Sequence, residues 1–504
     1  MKSYTSRDLV RYTSRFCIPL FGALLSLLFF LIDGTAPAGR SLAKIEGVDP
    51  VAYYAMAHSL LFDRDFDLSN EYRHQSPGEE GREVFATRPN TGLPGNPWPI
   101  GFPILQVPFL LAGYISDVIQ HRPADGYSRT CVVAYYLGII FWLCIGMLSL
   151  YELLRRIGRY TGVSGARVDW TALVVVFALW PSTTLAYYTF AGMSHIADFM
   201  ACSVFLLAWW SAKDSDSLRS WLLCGLASGL MALVRWQSLL FITVPVTYDF
   251  LHVRGTPQWN LKWLWPRLLA GIVMMIVLLP QFLEWHAIYG RYLVIPQGSD
   301  FLQFPPRYTL NVLFSSRHGW FVWTPVVALG IAGLIYCVTT WPRLAISILF
   351  AIALQILFCA SMPTNWHGGA SFSIRMLTNC VPAVSVGIML LALNGSRKAL
   401  ISLSGFGLFC IIYTLLFAAQ YRFDLIPKDD QLTVRELLID KVDLRAAIAR
   451  RREYLAVQRT SETRKWGQTA DPSTAAARRY PTDRQTDSRM PHTLTETILA
   501  HRVW

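Results

Sequence analysis

The sequence predicts an all-helical, polytopic membrane protein with about eleven transmembrane helices and a long first outer loop. Of its 504 residues, 53% are hydrophobic and 15% are charged, whereas charged residues make up about 25% of an average soluble protein. The apolar residues form runs of about 16–23, which is the length of helix that crosses a hydrocarbon core of about 30 Å. The 18 Trp and 22 Tyr residues cluster at the ends of these runs, as is typical of membrane interfaces.

The apolar runs occupy twelve segments: 16–32, 100–118, 131–153, 170–188, 194–212, 220–234, 237–252, 267–285, 319–340, 344–361, 377–394 and 399–420. If all of them crossed the membrane from a cytoplasmic N-terminus, the arginine-rich loop at 155–167 would lie outside, against the positive-inside rule. We therefore predict that the 100–118 run is interfacial, because Pro99, Pro103 and Pro108 make it a poor spanning helix.

The remaining eleven runs place the short loops that are rich in Arg and Lys on the cytoplasmic side. The first run has no cleavage site after it and is predicted to be a retained helix rather than a signal peptide. We expect a transmembrane module over residues 1–420 and a charged tail over 421–504, with an amphipathic helix at 432–455 and disorder beyond it. The segments predicted to face outward are 33–130, 194–195, 235–236, 286–318, 362–376 and the tail.

The cysteines and the net charge exclude two other classes of protein. All nine cysteines lie in or beside apolar runs without paired spacing, which predicts packing residues rather than disulfides or a metal framework. The formal charge of +12 comes from short loops and the tail, a pattern of membrane topology rather than of nucleic-acid binding.

Asp49 is the candidate catalytic residue of the long outer loop over residues 33–130. It stands just before a helix-like stretch from Pro50 to Phe62, so it is predicted either to cap that helix or to act as a general base at the membrane surface. The two alternatives stay open at the level of the sequence.

A run of alternating acids follows this helix-like stretch. Asp63, Asp65 and Asp67 form a D-x-D-x-D spacing that offers oxygen ligands to a hard cation. Leu68 and His74 stand where a calcium loop has Gly and Glu, so a solvated acidic turn is the favoured interpretation and no metal site is assigned. Whether a divalent cation takes part in function stays open.

Several outward-facing residues are candidates for binding an anion or a ring. Arg235, Arg317 with His318, and Arg375 are predicted either to contact lipid headgroups or to bind a phosphate-bearing ligand opposite a carboxylate. His195 is either a hydrogen-bonding rim residue or a ligand contact. Trp366 and His367, which precede two glycines, suit a sugar ring or an isoprenoid, with simple packing as the alternative. Residues 88–103 are predicted to form an ordered Pro- and Gly-rich turn.

A set of motifs, in order along residues 16–420, resembles the bacterial GT-C glycosyltransferases. The motifs are V-D-P-V-A-Y-Y-A-M-A-H-S-L-L-F-D-R-D-F-D-L-S-N-E-Y, G-N-P-W-P-I-G, M-S-H-I-A, A-L-V-R-W-Q, I-P-Q-G, L-F-S-S-R-H-G-W-F-V-W-T-P and W-H-G-G-A-S-F-S-I-R. The resemblance is to the group related to lipid A galacturonosyltransferases and protein O-mannosyltransferases. It covers the transmembrane module and not the tail.

This resemblance implies a GT-C fold whose first outer loop holds two juxtamembrane helices, the second being the 100–118 segment. It implies an inverting glycosyltransferase in the bacterial cytoplasmic membrane, with a polyprenyl-phosphate sugar as donor and lipid A, a cell-envelope glycan or a protein as acceptor. Asp49 matches the catalytic aspartate. The residues expected to touch donor or acceptor are Arg235, Arg317, His318 and Arg375 at the phosphate, and Tyr53, Tyr54, Asn96, His195, Trp366 and His367 elsewhere.

The sequence departs from the family at two points. Relatives usually have Gly before the catalytic Asp and Gly or Glu after it, whereas this chain has Val48 and Pro50. The later outer loop lacks the second acid that relatives often carry, since Gly369 is followed by Ala370 and Ser371. Glu46 is therefore the second candidate base, and the sugar stays open. A non-catalytic lipid-binding or transport protein is the alternative function.

Overall fold

The computed structural model describes residues 6–35, 44–75, 85–215, 217–253 and 261–441, with isolated positions up to 452. Over these residues the chain is helical, and no strand occurs beyond one isolated bridge between Thr87 and Pro94. Seven of the described helices are long and apolar enough to cross a membrane: Gly101–Ile119, Arg129–Thr161, His195–Ala212, Lys262–Tyr289, Pro342–Ala360, Arg375–Asn394 and Arg397–Arg422. The predicted fold class, an all-helical polytopic membrane protein, is confirmed.

The α-helices in chain order are α1 (Ser6–Thr35), α2 (Val48–Phe62), α3 (Ser69–Gln75), α4 (Gly101–Ile119), α5 (Arg129–Gly158), α6 (Gly165–Ser182), α7 (Leu185–Tyr188), α8 (His195–Ala212), α9 (Leu218–Val234), α10 (Thr243–Val253), α11 (Leu261–Val277), α12 (Leu279–Tyr289), α13 (Thr309–Phe314), α14 (Trp320–Trp323), α15 (Val326–Tyr336), α16 (Pro342–Ala360), α17 (Val381–Asn394), α18 (Arg397–Arg422) and α19 (Val434–Leu438). Short 3-10 helices cover Arg159–Thr161, Trp236–Ile242, Ser299–Phe301 and Arg375–Cys380. The count of eleven crossings and their direction stay predictions.

Several apolar runs that look continuous in the sequence are broken in the structure. The run at 237–252 begins as a 3-10 helix before α10, and the run at 377–394 begins as a 3-10 helix before α17. The two broken segments bond to each other, since Gln237 Nε2 donates to Met376 O (2.8 Å). Helix α16 bonds to the first of them, since Gln355 Nε2 donates to Gln237 O (3.1 Å). Side-chain partners of this kind satisfy backbone groups that a helix break leaves open.

The 100–118 segment forms one helix, α4, in spite of its prolines. Pro103 lies in the first turn, where a missing N–H costs little, and Pro108 is accommodated inside the helix. These prolines therefore do not break the helix. Helix α4 is long enough to cross, and its interfacial position stays a prediction.

Helix α4 contacts α9, α5 and α2. Its N-terminal Gly101 lies against the backbone of Leu233, at the end of α9. Farther along, the helix packs on the N-terminal part of α5, where Gly113 meets Cys131 and Gln106 meets Gly138, and on α2, where the rings of Tyr114 and Phe62 lie 5.2 Å apart. Helix α4 therefore begins where α9 ends and stays beside the N-terminal part of α5.

The described residues of the outer loop pack around α2. The ring of Tyr53 meets those of Trp98 (6.2 Å between centroids) and Phe102 (5.2 Å), and Tyr72 on α3 packs against Phe85 (4.2 Å). Ten consecutive residues of α2, from Pro50 to Ser59, are buried. The N-terminus of α2 is thus held firmly from several sides.

The chain divides into two compact units, residues 1–415 and 416–504. In the second unit, α19 begins with a capping box between Thr433 and Glu436, and Lys441 donates to Gln420 (2.9 Å). The expected amphipathic helix at 432–455 is described only at its beginning. The disorder expected beyond it falls outside the described residues.

Candidate active site

The broken helices and the outer loop enclose a cavity of about 240 Å³ in the first unit. Its walls combine two arginines, one carboxylate, amides and aromatic rings. The lining residues are Asp49, Tyr53, Pro97, Trp98, Pro99, Arg235, Trp236, Gln237, Gln297, Phe301, Asn365, Arg375 and Met376. Four of the residues singled out in the sequence (Asp49, Tyr53, Arg235 and Arg375) therefore lie around one space.

Asp49 forms an ion pair with Arg375. The distance from Asp49 Oδ2 to Arg375 Nη1 is 2.7 Å, and the two side chains are 19% and 15% exposed. Gly47, with φ at +90°, occupies the N-cap position of α2, and no side chain caps the helix. The hypothesis that Asp49 caps α2 is therefore wrong, because Asp49 lies inside the first turn. There the helix dipole favours its negative charge.

Arg235 is held by a second carboxylate, on α8. Its Nε lies 3.5 Å from Oδ2 of Asp198, which is completely buried. Ser238 donates to the other oxygen of Asp198 (2.7 Å) and accepts from Asn379 (2.8 Å). Arg235 also donates to the Ser194 hydroxyl (3.1 Å). These bonds fix the guanidinium at the cavity wall.

Tyr53 connects α2 to this network. Its hydroxyl lies 2.8 Å from that of Ser194. Burial raises the pKa of Tyr53 to about 12, although Arg235 acts in the opposite direction. Tyr53 is consequently a neutral hydrogen-bonding group at physiological pH and not a base.

The turn at Pro97–Pro99 forms another wall of the cavity, and hydrogen bonds to α12 hold it in place. Glu284, which is fully buried, accepts from Asn96 (3.3 Å) and from Gln281 (2.6 Å). Gln281 in turn accepts from the backbone N–H of Ile100 (2.9 Å), and Asn96 accepts from that of Trp98 (3.2 Å). The expected ordered turn is present over this stretch. Asn96 acts on the cavity through Trp98 and does not line it.

Another group of predicted residues forms a neighbouring cluster outside the cavity lining. His318, fully buried with φ at +64°, lies 2.8 Å from the carbonyl oxygen of His367 through Nδ1. Trp366 stacks on Tyr308 with 5.6 Å between ring centroids. Arg317 precedes His318 and is likewise absent from the lining. The loop from His367 leads directly to Arg375, so this cluster helps to position Arg375 at the cavity.

The other predicted residues are placed as follows. Tyr54 is buried and donates to the carbonyl of Gly126 (2.6 Å). His195 is buried with its ring 4.5 Å from that of Tyr188. Glu46 is paired with Lys44 at 3.1 Å and is 73% exposed. None of these three side chains lines the cavity.

Asp198 and Glu284 are important residues that the sequence interpretation missed. Both are carboxylates inside long apolar runs, where an ionisable residue is costly and usually has a specific role. That signal was available in the sequence. The sequence did not show that these two acids contact Arg235 and Asn96, because those residues lie on other segments.

The fold and the cavity define the chain as a polytopic helical membrane protein with a charged, aromatic-lined site in its first unit. Two similar solved structures are crystal structures of ArnT from Cupriavidus metallidurans, one in the apo state (14% identity, TM-score 0.48) and one bound to undecaprenyl phosphate (15% identity, TM-score 0.49). Each alignment covers 80% of this chain and 69% of the other. At this level of similarity they do not define its activity. No family model and no curated protein matches the sequence.

Proposed function

We propose that this chain is an inverting glycosyltransferase that moves a sugar from a polyprenyl-phosphate carrier to an acceptor at the outer face of a bacterial cytoplasmic membrane. The observation that carries the proposal is the Asp49–Arg375 ion pair (2.7 Å) in a cavity that Arg235 also lines. A carboxylate to accept a proton and two cations to hold a phosphate are the groups that such a transfer needs.

The two arginines are the proposed binding site for the carrier phosphate. A guanidinium presents five donors, so Arg235 can bind a phosphate oxygen while it keeps its contacts with Asp198 and Ser194. The rings of Trp236 and Phe301 lie 6.2 Å apart on the same side of the cavity, and Phe358 packs against Trp236 (5.2 Å). This aromatic wall suits the first isoprenoid units next to the phosphate.

Asp49 is the proposed general base. It takes the proton of the acceptor hydroxyl while the hydroxyl oxygen forms a bond to C1 of the sugar. The bond from C1 to the phosphate oxygen breaks on the opposite face, and its electron pair leaves with the phosphate. Arg235 and Arg375 offset the charge that develops on that oxygen. We propose that Arg375 turns from Asp49 toward the phosphate when the donor binds, which frees the carboxylate for the proton.

Only the chemistry of the transfer restricts which sugar donor and which acceptor can take part. The donor needs a phosphate on a lipid, and the acceptor needs a nucleophilic hydroxyl or a group of similar reactivity; lipid A, a cell-envelope glycan and a protein all meet this requirement. A lipid-binding or transport protein with the same cavity would bind the carrier without breaking the C1–O bond. Release of free carrier phosphate therefore separates the alternatives.

The test is carrier release from a panel of synthetic undecaprenyl-phosphate monosaccharides, with a membrane lipid extract as acceptor. We expect Asp49→Asn to lower the release rate by about 10²–10⁴-fold, the usual contribution of a general base. Glu46→Gln is the matched control, since Glu46 is an exposed acid three positions away. Full activity of Asp49→Asn in a correctly inserted protein, or loss of activity in Glu46→Gln alone, would overturn the assignment of Asp49.

A further inference from the structure

His58, Asp63 and Glu71 converge at the far end of α2 from the cavity. One potential ligand atom of each residue lies within 4.8 Å of the other two. His58 is on α2, Asp63 directly follows that helix and Glu71 is on α3. His58 and Asp49 are nine positions apart on α2, or about 13 Å along a helix. The cluster is therefore separate from the proposed active site.

The hydrogen bonds of His58 indicate which of its two ring nitrogens carries the proton. Its Nε2 lies 2.9 Å from the carbonyl oxygen of Asp125. A carbonyl only accepts, so Nε2 carries the proton and Nδ1 of the neutral ring presents a lone pair. That lone pair faces Oε1 of Glu71 at 3.1 Å and the hydroxyl of Tyr127 at 3.4 Å. Nδ1 and Oε1 are both acceptors at this distance, so the contact needs a proton or a cation between or beside them.

Glu71 supplies an independent sign of a missing partner. Its side chain is completely buried, and Oε2 has no hydrogen-bond donor among the described residues, while the carboxyl of Asp63 is close enough to share a proton with Glu71. The amide of Asn70 donates to Oε1 (3.2 Å) and to Oδ2 of Asp63 (2.8 Å). A buried carboxylate oxygen without a donor is costly, because it has lost its hydrogen bonds to water and gained none in return.

The alternating acids themselves do not converge on one point. Asp65 Oδ1 accepts from the Ser59 hydroxyl (3.0 Å) and from the backbone of Asp67 (3.0 Å). Asp67 Oδ1 accepts from the backbone and hydroxyl of Ser69 (3.0 and 2.6 Å). Asp65 and Asp67 therefore shape the turn, as the sequence interpretation favoured, and Asp63 is the one of the three that joins His58 and Glu71.

We infer that His58, Asp63 and Glu71 bind a divalent transition-metal ion of the Zn²⁺ type. One imidazole with two carboxylates is a ligand set that such ions accept, at about 2.0–2.2 Å. A backbone carbonyl on the other ring nitrogen is the usual support of a ligating histidine. Asp63 is exposed, and a small turn of its side chain, which exchanges the bond from Asn70 for the metal ion, closes the site. The ion would tie α2 to α3 and hold the element that carries Asp49.

The alternative to a metal ion is a proton. A proton on His58 would make the 3.1 Å contact with Glu71 a salt bridge, and burial raises the pKa of Glu71, which favours a proton there instead. Either arrangement explains the close contact of the two acceptors without any metal. The experiment therefore has to measure the ion itself.

The test uses the full-length, tag-free protein in detergent, stripped with EDTA and then titrated with Zn²⁺. We expect one bound Zn²⁺ per chain by elemental analysis and a higher unfolding temperature on addition of Zn²⁺. His58→Gln and Asp63→Asn should weaken binding at least tenfold. His74→Gln is the matched control, because His74 stacks on Tyr127 (3.8 Å) but is not part of the cluster.

Asp63→Asn keeps the experiment decisive if the buried His58 variant fails to fold, since Asp63 is exposed. An apo protein that binds no Zn²⁺ and gains no stability from it would overturn the inference in favour of the protonated contact. Zn²⁺ binding that survives unchanged in both His58→Gln and Asp63→Asn would also overturn it. Neither result would affect the assignment of Asp49, because the two sites share no residue.

Discussion

At the scale of single residues, each of the two arginines in the cavity holds a carboxylate, but the two ion pairs differ in burial. Asp198 is completely buried beside Arg235, whereas Asp49 and Arg375 keep 19% and 15% of their side-chain surface. Removing one partner of a buried pair typically costs about 3–5 kcal/mol because the other charge is left uncompensated. Arg375 is therefore the better residue for testing function without loss of the fold.

The sequence predicted individual residues of the site better than it predicted their partners. Asp49, Tyr53, Arg235 and Arg375 were selected, and all four line the cavity. The roles of Arg317 and His318 at a phosphate stay untested, since the structure places them outside the lining. The sequence alone could not decide whether Asp49 caps α2. Aspartate and glycine are both common at the N-cap position, which Gly47 occupies with a positive φ.

At the scale of elements, the position of the Pro97–Pro99 wall depends on α12. Glu284 accepts hydrogen bonds from Asn96 and Gln281, and Gln281 accepts one from the backbone N–H of Ile100. The Pro- and Gly-rich composition predicted an ordered turn. It did not predict which helix would hold that turn, because the contact joins segments far apart in the chain.

Glu284→Ala tests this dependence on α12. The variant leaves the buried amides of Asn96 and Gln281 without their acceptor, so we expect a loss of about 1–3 kcal/mol of stability and easier acrylamide quenching of the Trp98 fluorescence. The measurement is thermal unfolding together with quenching in a variant where Trp98 has been replaced by Phe as reference. His286→Ala, on the exposed side of α12, should change neither quantity. Unaltered quenching in Glu284→Ala would show that the turn is held by other contacts.

At the scale of the whole molecule, the fold assembles the cavity from the outer loop, the break before α10 and the break before α17. The apolar runs and their charges predicted a polytopic helical protein correctly. Breaks within runs were not predictable from hydropathy, since broken and continuous helices have the same apolar composition. For α4, hydropathy predicted a spanning helix and proline content predicted a poor one. The structure shows that the helix is continuous.

Cysteine labelling in intact cells tests the topology. Asn90 and Gln120 are exposed and flank α4. If α4 is interfacial, single cysteines at both positions react with a membrane-impermeant maleimide from outside, whereas a crossing helix would allow only one to react. Ser396→Cys, in a predicted cytoplasmic loop, should stay unlabelled. The nine native cysteines are buried or half-buried, and the unmodified protein gives the background.

The central claim is that the cavity between Asp49, Arg235 and Arg375 receives the phosphate of a polyprenyl carrier. The most direct measurement is the Kd of undecaprenyl phosphate for the purified protein and for Arg375→Ala, with Arg307→Ala, an exposed arginine outside the lining, as control. Loss of charge-assisted hydrogen bonds worth about 1.5–3 kcal/mol predicts binding about 10–100-fold weaker in Arg375→Ala. Arg307→Ala should bind like the unmodified protein. Equal affinity of Arg375→Ala and the unmodified protein would contradict the claim.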